Sequence, residues 1–124
     1  MWFQHSEIEK VIVPNSVKTL GEGAFVGCER LCEVAFEPNS HLESIGDHCF
    51  SRCGLREVTV PRNVLAIGSH AFNNCLELSQ FSFEPGSQIE SVGKHVFANT
   101  RLHPAKVQYP DTFKFVGSEW GGAF

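Results

Sequence analysis

One phrase returns five times along the chain: an apolar triplet spaced L-x-x-V-x-V, a proline, an apolar residue followed by glycine, a phenylalanine and usually a cysteine. The triplets are Ile8/Val11/Val13, Leu31/Val34/Phe36, Leu55/Val58/Val60, Leu78/Phe81/Phe83 and a weaker Leu102/Ala105/Val107. Their starts lie about 23 or 24 residues apart, too short a unit to bury a core alone, so neighbouring units must stack into a solenoid.

The repeats alternate in kind. Odd ones read V-P-x-x-V and even ones F-E-P-x-S-x-(L/I)-E-S, so the unit that recurs in full is about 47 residues long. At that offset Val11, Val13, Pro14, Gly21, Ala24, Phe25 and Cys28 map onto Val58, Val60, Pro61, Gly68, Ala71, Phe72 and Cys75. FEPNSHLESIGDHCF from Phe36 likewise maps onto FEPGSQIESVGKHVF from Phe83.

Each triplet is rich in β-branched residues and reads as a short strand, ended by a proline that has no N–H to give a ladder. Stacked about 4.8 Å apart, five such strands make one parallel sheet with the triplets facing inward. The second apolar residues, Leu20, Ile45, Ile67, Val92 and Val116, close the core from the other side, where loops and short helical turns are expected. Phe25, Phe50, Phe72 and Phe97 should form a stacked spine. Gly21, Gly46, Gly68, Gly93 and Gly117 recur where every coil turns, which calls for a positive φ or a close approach between coils. No G-x-x-x-x-G-K-S/T or strand-linked G-x-G-x-x-G occurs.

VPNSVKTLGEGAFVGCERL, returning as VPRNVLAIGSHAFNNCLEL, resembles the BspA-like leucine-rich repeats, the leucine-rich repeat 5 type, over roughly residues 8 to 102. The FEPxSxLES variant is most similar to the trichomonad arrays, and the type is also abundant in anaerobic bacteria. The resemblance implies a leucine-rich-repeat solenoid, right-handed and mainly β or α/β. It also implies the work of cell-surface proteins that bind host matrix proteins, host cells or other microbes.

At 13.8 kDa and 42% hydrophobic residues, the chain fits a single ordered domain over 1–124. Repeats start near 8, 31, 55, 78 and 102, with 1–7 and 108–124 as partial or capping repeats. A formal charge of −4, a pI near 5.8 and no basic run argue against a nucleic-acid partner. The start has no signal-peptide pattern and no stretch approaches membrane-spanning length, so neither export nor membrane insertion is expected of the chain as it stands. Both ends read as cut within a repeat. Trp2, Phe3, Phe115, Trp120 and Phe124 then serve as improvised caps, or the chain is a piece of a longer array, or it pairs end to end with a copy of itself through Trp2, Phe3, Trp120 and Phe124.

Cys28-x3-Cys32 and Cys49-x3-Cys53 look like two halves of a zinc site, but the repeat register separates them. Cys28, Cys53 and Cys75 share one repeat position, which Thr100 takes later, and thiols stepping along a solenoid do not converge on a metal. Their spacing also exceeds the roughly 3.8 Å between the Cβ atoms of a disulfide. Buried structural thiols are the expectation. His48, His70 and His95 form a second ladder on an outer edge, with Gly23 in their place in the first repeat. That ladder reads first as an exposed variable position, then as a pH-sensitive patch or metal site. Glu37, Glu43, Glu84 and Glu90 recur on every second coil as a solvated acidic rim rather than a hydrolytic pair. No nucleophile stands with an evident base and orienting group, so no enzyme and no cofactor are expected.

The remaining candidate is the outward face of the sheet: Lys10, Ile12, Glu33, Ala35, Glu57, Thr59, Gln80 and Ser82, continued by Pro104 and Lys106. Such faces commonly bind partners in solenoids. The expected function is a non-catalytic protein–protein interaction module, by resemblance an adhesion-type surface segment. The alternative is a structural unit that self-assembles end to end.

Overall fold

A computed structural model describes residues 3–103, 107, 109 and 110. They form a parallel β-solenoid with eight strands in chain order: β1 Lys10–Val13, β2 Thr19–Leu20, β3 Glu33–Phe36, β4 Ser44–Ile45, β5 Glu57–Val60, β6 Ala66–Ile67, β7 Gln80–Phe83 and β8 Ser91–Val92. Each coil contributes one four-residue and one two-residue strand. The fifth triplet lies at the edge of the description: Leu102 and Val107 are buried, while Ala105, Val116 and Gly117 fall outside the described residues.

Three walls surround the core. The short strands form one continuous parallel ladder, β2-β4-β6-β8, with Leu20, Ile45 and Ile67 buried against the core. The second wall holds the phenylalanines and contains no helix among the described residues. It is a run of overlapping i→i+3 turns, such as Ala24 N–H to Gly21 O, Val26 N–H to Gly23 O and Cys28 N–H to Phe25 O. The intervening N–H groups point along the solenoid and donate to the next coil: Phe25 to Cys49 O at 2.8 Å, Phe50 to Ala71 O at 2.8 Å and Phe72 to Val96 O at 3.1 Å. Aiming them that way takes left-handed backbone, at Gly23, His48, His70 and His95 and again at His5, Gly27, Arg52, Asn74 and Asn99. Glycine, asparagine and histidine are among the residues that tolerate this region best.

The third wall departs from the single five-stranded sheet expected. β1 pairs with β3 and β5 with β7, and among the described residues no backbone hydrogen bond joins β3 to β5. The cause lies in the alternation of repeat types. Val13 is in register with Phe36 and Val60 with Phe83, so Pro14, Glu37, Pro61 and Glu84 follow the strands at equivalent places. Glu37 N–H donates to Val13 O at 3.1 Å and Glu84 N–H to Val60 O at 3.0 Å. The equivalent bond from coil three to Phe36 O would need an N–H at residue 61, and proline has none. The 47-residue unit is therefore two coils zipped together on this wall, with a seam before the next pair.

Core packing follows the apolar pattern. Val58, Val60, Leu31, Leu55 and Leu78 are buried, whereas Ile8, Val11, Phe36 and Phe83 are partly covered. The rings of Phe3, Phe25, Phe50 and Phe72 stack nearly parallel, with centroids 5.4, 5.2 and 5.4 Å apart. Between Phe72 and Phe97 the spine changes character: Phe81, where odd repeats carry valine, stands edge-on to both, 5.2 Å from Phe72 and 4.7 Å from Phe97.

The recurrent glycines Gly46, Gly68 and Gly93 do not have positive φ, which corrects half of the expectation. Their requirement is space. A Cβ on Gly68 would lie 2.5 Å from Asp47 N and 2.8 Å from Gly46 C in the preceding coil, closer than real Cβ atoms approach. Gly86 is the opposite case, with φ +81° and open space around it.

Candidate functional site: the outer face of the long-strand walls

Alternation along each four-residue strand turns every second side chain outward. Lys10, Glu33, Glu57, Thr59, Gln80 and Ser82 are exposed, Ala35 is half-buried, and Ile12 is a large apolar side chain left 56% exposed. Within each zipped pair the outward residues match up. Lys10 Nζ lies 3.5 Å from a Glu33 carboxylate oxygen, and the Thr59 and Ser82 hydroxyls share a hydrogen bond of 3.3 Å. Both contacts are solvated, and an exposed ion pair of this kind contributes at most about 1 kcal/mol. Glu33 and Glu57, on β3 and β5, both line the seam between the two pairs.

The seam is also a groove, with a volume of about 810 Å3. One wall is β3 with its long turn, Glu37–His41; the other is β5 with Pro61–Asn63. The even turns are built differently from the odd ones. Ser40 and Ser87 are buried, and their Oγ atoms accept from Leu42 N–H and Ile89 N–H at 3.2 and 3.3 Å.

Glu37 and Glu84 are not simply rim charges. Their carboxylates reach back one coil and accept the Asn15 and Arg62 backbone N–H groups, each at 2.8 Å, just after the odd prolines. Asp47 reaches the other way, accepting Ser69 N–H of the following coil at 2.9 Å. Each such bond tethers one coil's turn to its neighbour and contributes about 0.5 to 1.5 kcal/mol net.

The cysteine ladder is a hydrogen-bond ladder. Cys28, Cys53 and Cys75 donate to the carbonyls of Phe3, Phe25 and Phe50 in the preceding coil at 2.8, 3.2 and 3.0 Å. Cys28, Cys49, Cys53 and Cys75 are buried free thiols, but Cys32, expected to be buried, is exposed just ahead of β3. Burial pushes the Cys49 and Cys75 thiols up to about 12 and raises Cys28 and Cys53 as well. Held protonated, these groups are poor nucleophiles and poor metal ligands. Among the described residues no group of three or more His, Cys, Asp or Glu is placed to hold a metal ion.

His48 and His70 stack with centroids 4.7 Å apart and an interplanar angle of 9°, and His70 and His95 lie 5.3 Å apart at 37°. Partial burial lowers the His70 pKa, helped by the neighbouring His48 and His95, while Asp47 opposes the shift. This position is fixed by backbone conformation, since all three histidines sit at φ near +60° where Gly23 sits in the first coil. Gly23 in the same register is the sequence signal of this left-handed conformation.

With this geometry in place, the repeat model for the BspA type leucine rich repeat region matches residues 1–120 in six copies. The chain belongs to the BspA-type leucine-rich repeat family. Among solved structures this leucine-rich repeat array is similar to the pneumococcal vaccine antigen PcpA, with TM-score 0.70 and 22% identity over 83% of this chain. It is also similar to a leucine-rich cell surface protein from Faecalibacterium prausnitzii A2-165, with TM-score 0.59 and 26% identity over 65% of this chain. The chain spans 31% and 20% of the length of those two proteins, and the likeness to PcpA is one of fold. Among curated proteins no relative matches the chain.

In this BspA-type array all eight sheet-face residues lie on the four long strands, in two zipped pairs either side of the seam. Of the four end-to-end candidates, Phe3 stacks on Phe25 and remains 47% exposed. Trp2, Trp120 and Phe124 lie outside the described residues, as do Phe115, Pro104 and Lys106. No described helix is long and apolar enough to cross a membrane.

Proposed function

We propose that this array is a non-catalytic protein–protein interaction module whose binding surface is the outer face of the long strands. The carrying observation is that face itself: outward side chains held in register on backbone ladders, mostly exposed and saturated by nothing stronger than solvated contacts. A rigid face costs little to order on binding, and modest contacts add along it. The description of one structural neighbour as a cell surface protein supports the finer reading, an adhesion-type segment displayed at a surface. Thiols held protonated by burial support the non-catalytic part.

The test is capture from a protein extract by the immobilised chain, set against two variants. Thr59→Arg places bulk in the middle of the face, and Glu90→Arg places it beside the short-strand ladder. The proteins retained by the wild-type chain should survive Glu90→Arg and be lost with Thr59→Arg. Equal capture by all three forms would remove the face from the mechanism.

The competing reading is end-to-end self-association. It is favoured by Phe3, whose ring continues the aromatic stack and stays 47% exposed. Dependence of mass on concentration separates the two.

A further inference from the structure

Among the described residues, backbone bonds join the first four coils on all three walls with one exception. Between coils one and two the long strands run in register from Lys10 and Glu33 to Val13 and Phe36, with Cys32 N–H to Glu9 O at 2.9 Å and Glu37 N–H to Val13 O at 3.1 Å at either end. Between coils three and four the same wall carries β5 on β7, with Ser79 N–H to Arg56 O and Glu84 N–H to Val60 O, both at 3.0 Å. Between coils two and three, β3 and β5 come within 8 Å of each other at their Cα atoms, yet no backbone bond joins them. What spans this wall is a side-chain bond past the ends of the strands, Asn63 Nδ2 to Ser40 O at 3.0 Å.

The other two walls cross the same junction unbroken. On the short-strand side Leu65 N–H donates to Glu43 O at 2.7 Å and Gly68 N–H to Ile45 O at 2.8 Å. On the turn side His48, Phe50 and Arg52 N–H donate to Ser69, Ala71 and Asn73 O at 3.0, 2.8 and 2.9 Å. A junction bonded along two walls and open along the third is built to bend: rotation about the bonded side changes the gap between β3 and β5 while the bonds just named stay formed. The groove of about 810 Å3 along the open wall gives that rotation room. Its range is limited by the core, because Val34, Val58 and Val60 are buried beneath the two strands and would meet water if the gap opened widely.

We propose that this junction is a hinge between two rigid panels, the β1-β3 pair and the β5-β7 pair, and that its opening and closing sets the curvature of the outer face. Each panel keeps its own register, and the angle between them adjusts. The hinge belongs to the chain alone, whereas its use in fitting the face to a partner rests on the interaction-module reading. Pro61, which has no N–H to give Phe36 O, is what leaves the wall open. The same junction recurs wherever a V-P repeat follows an F-E-P repeat, so a longer array would bend once per unit of about 47 residues.

The experiment is nuclear magnetic relaxation dispersion on the 124-residue chain labelled with nitrogen-15, which reads the microsecond-to-millisecond range of hinge motions. Exchange should be largest at the amides of Glu33–Phe36 and Glu57–Val60 and small in Lys10–Val13 and Gln80–Phe83. Pro61→Val places an N–H opposite Phe36 O on a side chain of similar size, and should lower the open population about fivefold, the effect of one added backbone bond. Asn63→Ala removes the side-chain bond across the wall and should raise that population by about the same factor. Exchange absent from β3 and β5 in both the wild-type chain and Asn63→Ala, or spread evenly over the four long strands, would overturn the hinge. So would a folded Pro61→Val chain that exchanges as the wild type does. Should Pro61→Val fail to fold, Asn63→Ala decides, and an unchanged open population in that variant would overturn the hinge. These readouts need no partner, so a failure here leaves the interaction-module reading standing.

Discussion

Phe50 is the ring on which the aromatic spine depends most, and Phe50→Ala is the sharpest test of the core. Its side chain is fully buried and stacks on Phe25 at 5.2 Å and on Phe72 at 5.4 Å. Truncation loses the transfer free energy of the ring and leaves a cavity whose cost depends on how far the neighbours can collapse. Here they are held back: Phe25 N–H is bonded to Cys49 O, Phe50 N–H to Ala71 O and Phe72 N–H to Val96 O, so ring spacing is set by coil spacing. The loss should therefore be about 3 to 5 kcal/mol, a large share of a stability that for most domains is about 5 to 15 kcal/mol. Urea titration followed by far-ultraviolet circular dichroism measures it. A loss under about 1 kcal/mol would mean the coils can slide along the axis and that the backbone ladders do not fix them.

Gly68→Ala should cost about 1 to 3 kcal/mol through overpacking against the Asp47 backbone, whereas Gly86→Asn should be close to neutral because Asn39 holds the same left-handed position one unit earlier. Equal costs in urea would contradict the separate reasons assigned to the two glycines. Brief treatment of the native chain with iodoacetamide should add one label, at Cys32, and treatment in denaturant should add five, one for each cysteine of the chain. Two or more rapid adducts on the native chain, read by mass spectrometry, would show that the buried thiols open. Because the His70 pKa is lowered on folding, the unfolded chain takes up its proton first as pH falls below about 6.5. The stability tied to His70 is thus complete above that pH and is lost on acidification. The urea midpoint should drop between pH 7.5 and 5.5, and His70→Gln should flatten the drop; an unchanged slope in that variant would rule out the histidine ladder as its source.

The solenoid, its strands and its two-coil period were legible because they follow from apolar spacing and from exact recurrence of proline, glycine and phenylalanine. The seam was legible only in part. The V-P and F-E-P alternation was visible, and so was the rule that proline ends a ladder. That Glu37 and Pro61 hold equivalent places in successive coils, one with an N–H to give the coil before it and the other without, emerges only when the register is known. The same holds for the carboxylates: Glu37 and Glu84 read as rim charges because their partners, the N–H groups of Asn15 and Arg62, lie 22 residues away in sequence. At the histidine position the exposed outer edge is legible from the repeat register, and His48 and His95 are exposed; the left-handed backbone that restricts its occupants is signalled only by Gly23 in the first coil. The outward face was legible from strand alternation, and the groove beside it depends on two strands failing to pair, which no single repeat encodes.

Light scattering behind size-exclusion chromatography over a hundredfold range of concentration tests the interaction-module reading most directly. A binding module for other proteins should hold a constant mass near 13.8 kDa. Growth to dimers or longer species with concentration would contradict it and make end-to-end assembly through Phe3 and its neighbours the function to pursue.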